Sequence, residues 1–141
     1  YTTLFRSGIV PRIYELADEG LAVTLAVSLH APDDGSRQDL MPVANKYSVE
    51  ELLSAAKYYF DTTGRRVTFE YALVAGKNDS DKDAEKLAAL LKGSPCHVNL
   101  IRVNSVKESG FERPSKERAL NFQNKLLLIC ISNLFEDFSH Y

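Results

Sequence analysis

The sequence has too few cysteines, in the wrong places, to build a metal centre of its own. Cys96 and Cys130 lie in different segments, with no CxxC pair and no Cys/His spacing around them. Each reads as a small buried hydrophobe. His30, His97 and His140 also lack ligand spacing, so no metal site is expected. No apolar run approaches the ~18 residues of a membrane span, and no charged-then-apolar leader opens the chain. The expectation is a cytoplasmic, reducing setting with no membrane partner. Basic excess is missing too. The formal net charge is −2 and the pI about 5.9, which removes a global footprint for nucleic acid and leaves only local patches. There is no GxGxxG turn, no Walker loop, no GxSxG elbow and no assignable Ser-His-Asp set.

What is present is a regular alternation of elements within 141 residues that are 45% hydrophobic. Residues 10–19 (VPRIYELADE) put Ile13, Leu16 and Ala17 at helical spacing, with Pro11 near the start and Gly20 past the end. Residues 22–29 read as a buried strand. Residues 33–40 (DDGSRQDL) read as a loop or helical turn. Residues 48–62 predict an amphipathic helix with Ser48 as N-cap and Glu51 completing a capping box. Its expected buried stripe is Leu52, Leu53, Ala56, Tyr59 and Phe60, and Gly64 ends it. A strand over 66–74, a helix over 79–91 stopped at Gly93, a strand over 96–103 and a helix over 115–127 follow.

Such alternation, with crossovers long enough for parallel pairing, predicts a parallel α/β sheet, open or closed into a barrel. Three strands leave a parallel sheet incomplete, and a whole (βα) barrel takes ~250 residues. The chain therefore reads as part of a larger α/β domain, its fold class a partial TIM-like (βα) barrel. Both ends stand apart. Residues 1–7 (YTTLFRS) suit neither neighbouring element and resemble a translated sequencing adapter. Residues 128–141 lose helical periodicity and read as an aberrant, frameshifted tail. Residues 8–127 are then the barrel portion.

In parallel α/β sheets ligands bind at the carboxyl ends of strands. The first strand delivers Ser28, Leu29 and His30 there, with Pro32 turning the chain away. The second offers Glu70 and Tyr71, then Asn78 and Asp79. The third offers Asn99 and, at its end, Asn104. Glu70 could serve as a general base, although a lone strand carboxylate is more often a paired structural charge. Lys46, Lys57, Arg65 and Arg66 could meet phosphate, although scattered basic residues usually form a solvated face.

Three stretches, VSLHAPDDGSRQDLMPVANKY, GRRVTFEYALVAGKNDSDKDAEKLAALL and CHVNLIRVN, carry a family resemblance over residues 8–127. They resemble the second half of the bacterial rRNA/tRNA adenine C2-methyltransferases. These are radical S-adenosylmethionine enzymes with a partial (βα) barrel and a [4Fe–4S] cluster. The resemblance implies that Ser28, Leu29 and His30 line the S-adenosylmethionine site and that Asn104 also contacts that cofactor. Arg102 and Ser105 stand where the family usually has proline, a departure in loop geometry that leaves the asparagine in place. Ser7, the only match to an upstream family serine, lies in the adapter-like stretch and is assigned no role.

The family's CxxxCxxC cluster loop, its Gly-Glu-Pro stretch and its catalytic cysteine and glutamate have no counterpart here, so no catalytic or metal-binding residue is assigned. Leu134-Phe135-Glu136-Asp137 stands where the family has Ile-Arg-Arg, which a shifted reading frame would restore. Cys130 lacks the neighbours of the family's methyl-carrying cysteine. The resemblance further implies rRNA and tRNA substrates, an electron donor such as flavodoxin for the cluster, and a monomer. An adenine C8-methyltransferase of the same superfamily is the nearest alternative. A non-catalytic S-adenosylmethionine- or nucleoside-binding module is the alternative from another class.

Overall fold

A computed structural model of the chain describes residues 10–21, 23–41, 46–105, 107–129 and 134–135. Among the described residues five helices and four strands alternate, except that the second and third helices follow one another. They are α1 (Val10–Asp18), β1 (Ala26–Ser28), α2 (Asp34–Leu40), α3 (Val49–Thr63), β2 (Val67–Leu73), α4 (Asp81–Leu91), β3 (Cys96–Arg102), α5 (Lys116–Ile129) and β4 (Leu134–Phe135). The strands form one sheet in the order β1-β2-β3-β4, and every pair is parallel. This is the expected α/β architecture, with one short strand more than the three anticipated.

Local chemistry fixes the helix ends. Ser48 accepts from the Glu51 amide at 3.1 Å while the Glu51 carboxylate accepts from the Ser48 amide at 2.7 Å, the reciprocal capping box expected for α3. Gly64, at φ 72°, closes that helix in a left-handed conformation that costs a glycine little. Ser80 and Asp83 form a second box at the start of α4. The stretch read as loop or turn is the helix α2. Asp33 caps it by accepting from the Ser36 amide at 2.8 Å, and the Met41 amide closes it on Arg37 O.

The sheet has two unlike faces. Along β2, Val67, Phe69, Tyr71 and Leu73 are buried and alternate with half-buried Thr68, Glu70 and Ala72. The buried set joins Val27, Val98 and Leu100 in one core with Ile13, Leu16, Leu52, Tyr59, Leu87 and Phe122 from the helices. Tyr71 and Phe122 bring their ring centroids to 5.4 Å. On α3 the buried stripe is Val49, Leu52, Ala55, Ala56 and Tyr59, whereas Leu53 and Phe60 are half-buried. Cys96 is buried within this core.

The first strand is shorter than residues 22–29. The Val23 amide turns back onto Leu21 O, and pairing to β2 begins only at Leu25, whose carbonyl accepts from the Thr68 amide. Helix α5 runs two residues past its expected end, to Ile129. Residues 1–7, Ala22 and Cys130, with most of the tail, lie outside the described residues. Leu134 and Phe135 pair in parallel with His97 and Val98.

Candidate functional site

The half-buried face of the sheet carries polar side chains in register. Ser28, Glu70 and Asn99 stand side by side across β1, β2 and β3. Ala26, Thr68 and His97 form the row before them. At the carboxyl end this face opens into a cleft of about 340 Å³ lined by Ser28, His30, Leu40, Met41, Ala72, Val74, Val103 and Phe111. The lining is mostly apolar, and Ser28 and His30 are its polar members. The volume lies at the small end of the range for ligand sites, roughly 300–1,000 Å³.

The four residues singled out from sequence separate here. Ser28 and His30 line the cleft. Ser28 is only 5% exposed, and its hydroxyl has no hydrogen-bond partner among the described residues. Leu29 is fully buried in the core, so its side chain belongs to the opposite face. Asn104 is exposed, two residues past the end of β3 and next to cleft-lining Val103. Glu70 sits beside Ser28, and its carboxylate has no hydrogen bond or ion pair among the described residues. Lys57 pairs with Asp61 at 2.6 Å. Arg65 and Arg66 precede β2 and so lie at the opposite end of the sheet from the cleft. Among the described residues there is no group of three His, Cys, Asp or Glu able to hold a metal ion, and no helix is long and apolar enough to cross a membrane.

Two further residues shape the cleft wall. Arg37 of α2 is 1% exposed. Its Nη2 donates to Ser28 O at 3.1 Å, its Nε to Leu29 O at 3.1 Å and its Nη1 to Tyr47 O at 3.4 Å. One buried cation thus ties down the carbonyls of two consecutive wall residues. Burial lowers its pKa, and Asp34 opposes that shift. Asp34 in turn accepts from the Val49 amide at 2.7 Å, which ties α2 to the start of α3.

Asn78 is fully buried and uses its whole amide. Its Nδ2 donates to His30 O at 2.8 Å and to Ala72 O at 2.7 Å, and its Oδ1 accepts from the Val74 amide at 2.8 Å. Its carbonyl accepts from the Tyr71 hydroxyl at 2.8 Å, and burial pushes that phenol up. His30 itself adopts φ 59°, the one positive φ outside glycine among the described residues. Its Nδ1 accepts from the Ala72 amide at 2.9 Å. Burial, with the Arg37 charge second, lowers the imidazole to about 4. In the sequence Asn78 stands near the strand end with no role marked, and nothing singles out Arg37. Their partners are almost all backbone carbonyls and amides, which leave no mark in a side-chain pattern.

No family model matches the chain. Curated proteins and solved structures do. The chain is 56% identical over 126 residues to a probable dual-specificity RNA methyltransferase RlmN of Alkaliphilus oremlandii, covering 89% of this chain and 37% of that protein. A protein of the same name from Clostridium botulinum is 56% identical over 126 residues, with 89% and 36% covered. The crystal structure of a radical SAM methyltransferase from Sphaerobacter thermophilus superimposes with a TM-score of 0.87 at 48% identity, over 96% of this chain and 39% of that one. A domain of a pyruvate-formate lyase-activating enzyme from Bacteroides vulgatus shares the fold alone, with a TM-score of 0.66 at 16% identity over 90% of this chain and 74% of that one. The chain spans a little over a third of the length of the curated relatives it matches. Over that span sequence and fold agree: the chain matches about a third of proteins named as dual-specificity RNA methyltransferases and of a radical SAM methyltransferase.

Proposed function

We propose that this chain supplies the S-adenosylmethionine-binding wall of a radical SAM enzyme that methylates C2 of adenine in rRNA and tRNA. The observation that carries the reading is the cleft at the carboxyl end of the sheet, where Ser28 and His30 are the polar lining in a chain 56% identical to a dual-specificity RNA methyltransferase. Its donor set suits a nucleoside-containing cofactor. A hydroxyl and an imidazole can hydrogen-bond a sugar or a base, and Phe111, Val74 and Met41 offer apolar surface to a flat ring.

When bound, S-adenosylmethionine would supply the methyl group and, with a reduced cluster, the radical chemistry that an unactivated aromatic C–H requires. The residues here bind and orient. Ser28 and His30 would contact the cofactor directly. Leu29 contributes its backbone, held by Arg37, and Asn104 would reach the cofactor from the rim. The [4Fe–4S] cluster does not fit this chain. Two cysteines in separate segments, one of them buried in the core, cannot supply a three-cysteine loop. The cluster and its reductant, a flavodoxin-type donor, would engage residues beyond this stretch. A cytoplasmic location suits an RNA-modifying enzyme of this kind.

The test is the DNA on either side of the coding stretch. It should encode an upstream CxxxCxxC loop and a downstream Ala-Cys-Gly-Gln. Their absence would sink the reading. Mass spectrometry of RNA modified by the reconstituted enzyme should place the methyl group on C2, and a C8 product would assign the chain to the sister activity.

A further inference from the structure

We propose that Asn78 is a positioning residue that, together with the Ala72 amide, fixes His30 as a neutral imidazole with its Nε2–H turned to the cleft, so that the site selects an uncharged hydrogen-bond acceptor. The inference deepens the cofactor reading and rests on it only for the identity of the ligand. The chemistry begins at Nδ1. A backbone amide offers nothing but a proton, so the Nδ1 atom 2.9 Å from the Ala72 nitrogen must present a lone pair. A ring flip would put a carbon there and strand the amide. The proton of neutral His30 is therefore on Nε2, which has no partner among the described residues on a side chain that lines the cleft.

That ring orientation requires the backbone to turn sharply at His30. A non-glycine residue at φ 59° is uncommon and is kept only where the surroundings hold it. Asn78 provides the hold. One amide group bridges His30 O and Ala72 O, 2.8 and 2.7 Å away, and so joins the end of the wall to the strand whose amide meets Nδ1. The His30 amide adds a bond to Glu70 O at 3.3 Å. Asn78 is itself fixed by the Val74 amide and the Tyr71 hydroxyl.

The charged groups nearest this wall are Arg37 of α2, which acts on the imidazole, and Glu70 of β2, in register with Ser28. Arg37 acts with burial to keep the ring neutral, and Glu70 stands beside Ser28 rather than beside His30. A second proton on His30 would break the Ala72 bond and place two cations together. A neutral donor set among Leu40, Met41, Val74, Val103 and Phe111 favours a heterocycle nitrogen or a sugar oxygen over a carboxylate. In S-adenosylmethionine that describes the nucleoside end.

The experiment is heteronuclear NMR on the 15N-labelled chain. Long-range His correlations should show the Nε2–H tautomer of His30, with the ring neutral down to about pH 5. An Nδ1–H tautomer, or an imidazolium at about pH 6, would overturn the proposal. Asn78→Asp keeps the acceptor for Val74 but sets a carboxylate against two carbonyls. It should release the tautomer and raise the His30 titration toward its ordinary value, and an unmoved His30 in that variant would deny Asn78 the role. The wild-type spectrum decides the tautomer even where variants fold poorly. Adenosine should move the His30 Nε2 resonance and methionine should not, and the reverse pattern would also overturn the proposal. If the Nε2–H tautomer is found but S-adenosylmethionine leaves every cleft resonance in place, the positioning role stands and the cofactor reading fails.

Discussion

Replacing Arg37 with methionine should destabilise the chain by about 2–4 kcal/mol. The guanidinium is 1% exposed, and two of its bonds, to Ser28 O and Leu29 O, are 3.1 Å long. Hydrogen bonds from a charged donor contribute about 1.5–3 kcal/mol each, so the pair is worth roughly 3–6 kcal/mol. The 3.4 Å contact to Tyr47 O adds little. Against this, methionine no longer has to keep a cation out of water, which returns a kilocalorie or two of the gross loss. Arg37→Lys should fall in between, because a single ammonium cannot span carbonyls that the planar fork reaches together. Urea unfolding followed by far-ultraviolet circular dichroism measures the effect as a lowered midpoint at constant slope. A loss under about 1 kcal/mol for Arg37→Met would refute the claim that this side chain holds the cleft wall.

Other substitutions test separate parts of the account. His30 is neutral in the fold and titrates near 4 rather than 6.5, so the unfolded chain binds the extra proton between those values. Stability should therefore fall as pH drops from 6.5 towards 4, by at most about 3 kcal/mol. His30→Gln should flatten that part of the profile in paired urea melts at each pH. Ser48→Ala removes one half of the α3 capping box and should cost about 1 kcal/mol in the same assay. Phe122→Ala empties a fully buried site against Tyr71 and should cost about 3–5 kcal/mol, seen as a large drop in thermal midpoint.

The parts of the fold that were legible in sequence are those written in side-chain periodicity and caps. The Ser48/Glu51 box and the Leu52–Ala56–Tyr59 spacing defined α3 because both act within one helix. The alternation along β2 exposed its two faces for the same reason. Residues 22–25 looked like strand because β-branched and apolar residues suit one. The local turn of Val23 onto Leu21 is a backbone choice the composition does not reveal. Helix α2 is too short for a period to show, and its identity rests on the Asp33 cap. At the site, Ser28 and His30 were readable as polar residues at a strand end. The left-handed turn at His30 and the carbonyl-directed roles of Arg37 and Asn78 were not, since each depends on main-chain groups brought together from distant segments.

The central claim is that the cleft at the carboxyl end of β1–β3 receives S-adenosylmethionine. Its most direct test is a titration of the 15N-labelled chain with S-adenosylmethionine, read by amide and histidine chemical shifts. The account predicts saturable shifts at Ser28, His30, Ala72, Val74 and Val103, extending to Asn104 at the rim, and weaker binding in Ser28→Ala and His30→Ala. Shifts centred on Arg65 and Arg66 at the opposite end of the sheet, or no saturable shift at all, would contradict it.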